Sequence, residues 1–93
     1  MTQIDASSIP RLLPGVRLRT LAGGETMLLV PEGAVKLSAT SAAVAESIDG
    51  HRDIAGIVAL LKERYDAAGA DIAADVSTLL ERFAQRVWIE FVP

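Results

Sequence analysis

Residues 16–38 read VRLRTLAGGETMLLVPEGAVKLS, and this stretch decides the fold. Its first six residues alternate: Val16, Leu18 and Thr20 fall on one side, Arg17 and Arg19 on the other. That is the period of a half-buried strand. Ala22-Gly23-Gly24-Glu25 then offers a hairpin turn, because adjacent glycines tolerate positive φ. Residues 26–30, TMLLV, are apolar on both faces. Such a strand is central in its sheet, or has its second face covered by other elements or a partner. Val30-Pro31-Glu32-Gly33 predicts a second hairpin of three loop residues, with proline setting φ and Gly33 as the left-handed residue of a G1 bulge. Ala34, Val35, Lys36 and Leu37 return as a short antiparallel strand. Val35 and Leu37 share one face and Lys36 takes the other. Ser38 ends the strand, since its hydroxyl can cap the first turn of a helix.

Three helical patterns follow. Residues 39–48 are alanine-rich, with Val44 and Ile48 as the larger apolar residues and Gly50 as a candidate left-handed C-cap. Asp53 caps a second helix over residues 54–65, where Ile54, Ile57, Val58, Leu61 and Tyr65 recur at helical spacing. Asp71 caps a third over residues 72–86, with Ile72, Val76, Leu79, Leu80 and Phe83 as its apolar face. The tail WIEFV, residues 88–92, alternates again and reads as a last short strand or an extended segment. Strands precede helices without interleaving. The fold class is therefore α+β: a three-stranded antiparallel sheet, then a three-helix bundle, winged-helix-like in order. Residues 1–14 contain Pro10 and Pro14 and read as an irregular N-terminal arm, docked by Ile9, Leu12 and Leu13. Residues 15–93 form one domain.

Composition narrows the function classes. The chain has 93 residues, and its 51% apolar content supports a real but small core. The formal charge of −3 argues against general affinity for nucleic-acid phosphates or anionic lipid. There are no cysteines, which excludes disulfides, thiolate metal sites and a cysteine nucleophile. No secretory signal and no membrane-spanning run is legible, so the expected location is cytoplasmic.

Catalytic constellations are equally sparse. His51 is the single histidine and reads as a solvated loop residue. Asp71 and Asp75 sit one helical turn apart and could hold a cation, but acids are favoured at a helix N-terminus without one. Neither a P-loop nor a nucleophile elbow is present. The expectation is a protein that is not an enzyme. A winged-helix DNA-binding regulator is a second reading, opposed by the acidic balance of the third helix. A small dimeric adaptor is a third.

One stripe on that helix is usable. Asp75, Leu79, Arg82 and Arg86 share one border of its apolar face, either as a groove edge or as arginine stems laid over the core. Ala73, Ser77 and Ala84 mark the other border. Trp88 and Phe91 read as core or lid residues. Lys36 reads as a charge protecting an edge strand, or as a partner contact.

The order PEGAVKLS (31–38), an alanine-rich helix, Asp49-Gly50 and two amphipathic helices resembles the PqqD family, the peptide chaperones of pyrroloquinoline quinone (PQQ) biosynthesis. The likeness runs over residues 14–91. Ser38 stands where the family often has asparagine, a swap that keeps a cap. Val87 stands where a glycine often ends the third helix, so the helix is expected to run on or exit differently. The resemblance implies a protein that carries no cofactor itself, binds a ribosomal precursor peptide and presents it to a radical S-adenosylmethionine (SAM) enzyme for glutamate–tyrosine cross-linking. It implies strand addition along Ala34, Val35, Lys36 and Leu37, with contacts to Asp75, Leu79, Arg82 and Arg86 on one border of the third helix, or to Ala73, Ser77 and Ala84 on the other. A proline at Val35 is then expected to weaken peptide binding. A homodimer is compatible with the small size and the apolar TMLLV run.

Overall fold

A computed structural model describes residues 5–64 and 72–92. Eight elements occur in the order β1 (Ile9–Leu12), β2 (Arg17–Thr20), β3 (Thr26–Val30), β4 (Gly33–Lys36), α1 (Ala39–Glu46), α2 (Ile54–Arg64), α3 (Ile72–Gln85) and β5 (Ile89–Val92). β2, β3 and β4 form an antiparallel sheet with β3 in the middle, as its two apolar faces require. Three helices follow. The α+β class expected from the sequence is the class observed.

The G1 bulge expected at the second hairpin lies in the first. At the first, the Leu21 amide donates to the Glu25 carbonyl at 2.7 Å, and the Gly24 amide donates to the Leu21 carbonyl at 2.9 Å. Gly24 has φ +87°. This is the three-residue turn with a left-handed closing residue, so the G1 bulge lies at Gly24. At the second, Val30 and Gly33 are direct cross-strand partners, which leaves only Pro31 and Glu32 in the loop. The three-residue loop expected at Gly33 is thus a two-residue one.

The arm is also different from the expectation. Residues 9–12 are a strand, paired antiparallel with β5 from Ile9↔Val92 to Leu12↔Ile89. The Leu13 amide continues the ladder to the Trp88 carbonyl at 3.0 Å. Bonded and non-bonded pairs alternate in an antiparallel ladder, so the missing N–H of Pro10 falls on the outward edge and costs no ladder bond. The Pro10 ring itself is fully buried. Upstream, the carbonyls of Ser8 and Ala6 accept from the Ile54 and Ala55 amides, each at 3.0 Å. These are first-turn amides of α2 that have no partner within the helix. Asp53 Oδ1 accepts from the Gly56 amide at 2.8 Å and completes the cap.

Ser38 Oγ accepts from the Ser41 amide at 3.1 Å, as expected of an N-cap. Gly50 is not the C-cap of α1, because the helix closes at Ser47 in a right-handed conformation. Gly50, at φ +79°, serves the loop before α2. There Asp49 Oδ1 accepts from the Arg52 amide at 2.7 Å and the His51 amide at 2.9 Å.

α3 neither runs on nor exits irregularly. The Trp88 amide donates to the Phe83 carbonyl and the Val87 amide to the Ala84 carbonyl, both at 3.0 Å, and Val87 has φ 61°. Those bonds are a Schellman motif with valine in the glycine position. The Phe83 and Trp88 rings meet at 5.8 Å, the apolar contact that accompanies this cap.

The core lies between the helices and the sheet's inner face. Ile54, Ile57 and Leu61 of α2 meet Val76, Leu80 and Phe83 of α3, with Ala43, Val44 and Ala45 of α1 and Ile89 of β5 in the same cluster. Small side chains let α1 approach closely. The expected cap Asp71 and the stripe residue Tyr65 lie outside the described residues.

Candidate functional site

Among the described residues, the sheet order leaves β4 with one unpaired side. Which of its backbone groups face outward follows from the register. The Leu37 amide donates to the Thr26 carbonyl at 3.1 Å, and the pairs run Met27↔Lys36, Leu28↔Val35, Leu29↔Ala34 and Val30↔Gly33. Alternation then makes Gly33, Val35 and Leu37 the bonded partners of β3. Ala34 and Lys36 turn their N–H and C=O groups to the free edge. The first hairpin gives an independent check: Leu21 bonds Glu25, so Met27 and Leu29 face β2, leaving Thr26, Leu28 and Val30 to face β4. The sequence expectation for Val35 is corrected here. Its N–H belongs to the β3–β4 ladder, so proline at Val35 breaks the sheet before it touches any ligand.

Side chains divide the same edge by face. Val35 lies opposite the buried Leu28, and Leu37 packs against the central cluster. Ala34 and Lys36 are exposed on the other face. Lys36 Nζ lies 3.4 Å from Glu25 Oε1 across an exposed pair, too solvated to hold the lysine firmly.

On α3, Asp75, Arg82 and Arg86 are exposed and Leu79 is half-buried against the central cluster. Leu37 and Leu79 thus tie the strand group and the helix group to one core. Among the described residues, Asp75, Arg82 and Arg86 have no ion-pair partner. The Arg86 guanidinium sits 5.9 Å from the Trp88 ring centre, within cation–π range. Trp88 was read from sequence only as core or lid. Its contact with Arg86 follows from the left-handed turn at Val87, which brings the chain back toward the helix end and which a valine in the sequence does not signal.

The two borders of α3 have different neighbours. Ala73 and Ser77 line a groove shared with Ala55, Val58 and Lys62 of α2, and Asp5 and Ala6 of the arm also line it. The border carrying Asp75, Leu79, Arg82 and Arg86 contributes nothing to that groove. Ala84 is half-buried.

His51 is exposed, and no group of three or more His, Cys, Asp or Glu converges among the described residues. The Asp71–Asp75 pair lies partly outside those residues. Asp49 has its carboxyl held below the ordinary carboxylate range by the Arg52 backbone bond and then by the His51 one. No helix among the described residues is long and apolar enough to cross a membrane.

A family model for coenzyme PQQ synthesis protein D matches residues 25–89. The chain belongs to the PqqD family. That span runs from the residue before β3 to the first residue of β5, so it contains the free β4 edge and all of α3. A relative from Klebsiella pneumoniae (strain 342), named PqqA binding protein, is 42% identical over 87 residues, which is 92% of this chain and 94% of that one. A protein of the same name from Azotobacter vinelandii is 41% identical over 91 residues, covering 97% and 98% of the two chains. The solution structure of the PqqD truncation of Methylobacterium extorquens PqqCD superposes with a TM-score of 0.79 at 36% identity, over 96% of each chain. That protein is described as a functional, stand-alone recognition element for ribosomally synthesised and post-translationally modified peptides.

Proposed function

We propose that this protein is a non-catalytic peptide chaperone of PQQ biosynthesis. It binds the ribosomal precursor peptide by strand addition to β4 and presents it to a radical SAM enzyme for glutamate–tyrosine cross-linking. The observation that carries the reading is the outward pair of N–H and C=O groups on Ala34 and Lys36, on an edge strand whose inner face is anchored by Val35 and Leu37. An extended peptide can match such a pair whatever its side chains are, and nearby pockets then supply selectivity. The names of the Klebsiella and Azotobacter relatives support the ligand, and the Methylobacterium protein supports the role.

Arg82 and Arg86 give the carboxylates of the bound peptide a cationic partner on α3, and Leu79 gives it an apolar one. Asp75 adds an acceptor at the far end of the same border. Because the peptide orders on binding, its affinity is lower than the contacts alone suggest. The test is an amide chemical-shift titration of the full chain with the precursor peptide. The expected changes concentrate on Ala34, Lys36 and their neighbours Val35 and Leu37, with a second group at Leu79, Arg82 and Arg86. Saturation with no change on β4 would overturn strand addition there.

A further inference from the structure

The register that opens the β4 edge also builds a second surface, on the flat of the sheet. β2–β3 pairing sets Arg17 beside Leu29 and Arg19 beside Met27, and β3–β4 pairing sets Leu29 beside Ala34 and Met27 beside Lys36. All six side chains stand on the face opposite Leu18 and Leu28. The helices pack on the Leu18–Leu28 side, where Leu18 and Leu37 meet the central cluster. On the outward side Arg17, Arg19, Ala34 and Lys36 are exposed, and Met27 and Leu29 are half-buried.

This face is cationic in an acidic protein. The chain carries a net charge of −3, yet three cations ring two apolar side chains here. Arg17 and Arg19 lie about 6.6 Å apart along one strand, at about 3.3 Å per residue. Neither has an ion-pair partner among the described residues, whereas Lys36 has Glu25. Two like charges held side by side without a counter-charge are mildly unfavourable in the free protein. They become favourable when an anionic surface covers them.

We infer that this outer sheet face is a second docking surface, for a folded protein that presents carboxylates around an apolar patch. A methionine-centred patch flanked by arginines matches the composition of protein interfaces. A phosphate polyanion would meet the net negative charge of the whole chain. Three strands at about 4.8 Å spacing give a backbone footprint of roughly 200 Å². A standard interface covers about 800 Å² per partner, so this patch alone suits a brief contact and not a permanent dimer. A peptide added in the plane of the sheet at β4 leaves the flat face open, so both partners can be held at once. Naming the modifying enzyme as that folded partner rests on the function proposed above.

The experiment compares the full chain with Arg17→Glu/Arg19→Glu, using the precursor peptide and the purified radical SAM enzyme as separate probes. Arg17→Gln/Arg19→Gln replaces the double reversal if melting shows that the latter does not fold. The expected result is enzyme binding at least tenfold weaker at low salt, with a flatter salt dependence and peptide affinity within twofold of the parent. Unchanged enzyme binding overturns the inference, as does a parent protein that binds peptide but not enzyme. Equal loss of both probes also overturns it, because the face would not be separate from the edge. Duplex DNA binding or self-association abolished by the variant, with enzyme binding intact, replaces the occupant and overturns it too. A parent that binds enzyme through these arginines but never binds peptide leaves this surface standing and removes the peptide function.

Discussion

At the scale of single residues, Val87 breaks the strongest local rule in the chain. A β-branched side chain at φ 61° costs roughly 1–2 kcal/mol relative to glycine, and Val87 is 69% exposed, so burial does not offset it. The sequence made the rule legible and the outcome illegible: a valine there argues against a left-handed cap. What overrides it is the Phe83–Trp88 contact and two backbone bonds, none of which a propensity contains. Val87→Gly is expected to gain about 1 kcal/mol net, after the extra freedom of glycine in the unfolded chain. Melting should rise by roughly 4–8 °C. An unchanged midpoint would show that the left-handed valine is not strained. Asp49 carries a pH consequence. Its folded pKa is depressed by backbone bonds from Arg52 and His51, so its stabilisation is present above the ordinary carboxylate value of about 3.9. That stabilisation is lost as pH falls through the lowered folded value. The melting difference between the parent and Asp49→Ala should therefore be flat from neutral pH to about 5 and shrink in stronger acid.

At the scale of elements, the hairpins and helices were legible because each is written within a few residues. Ser38 and Asp53 cap where their side chains predict. The loop after β3 was misread because a Pro-Glu-Gly sequence is compatible with two loop lengths, and only the pairing partner of Val30 decides between them. β1 was missed because its partner lies at the other end of the chain, and because Pro10 argues against a strand unless its missing N–H faces outward. Around the candidate site, the strand and the helix were readable as elements, but the alternation along β4 was not. That alternation sets the sharpest test. Ala34→Pro and Lys36→Pro each delete an outward N–H and leave the ladder intact. Each is expected to weaken precursor binding about tenfold, near the 0.5–1.5 kcal/mol of one hydrogen bond, with little change in melting. Val35→Pro should instead lower melting sharply. Equal effects from all three would contradict the register.

At the scale of the whole molecule, composition is a coarse guide. A net charge of −3 says nothing about where the nine cations sit, and the sheet pairing gathers three of them on one face. The β1–β5 clasp is the other whole-molecule feature, joining Ile9 to Val92 across nearly the full chain. Its consequence is kinetic. The hairpins and helices close short loops, while this pairing closes a very long one, and closure entropy must be met before its contacts return anything. The clasp should therefore form after the rate-limiting step of folding. Ile89, 3% exposed at the inner end of the clasp, is the probe. Ile89→Val should cost about 1 kcal/mol and appear almost wholly as faster unfolding, with the folding rate unchanged. A slower folding rate would place the clasp in the nucleus. With the clasp formed late and released early, the lifetime of the native state is set by the two ends of the chain, while the hairpin that carries the β4 edge folds ahead of them.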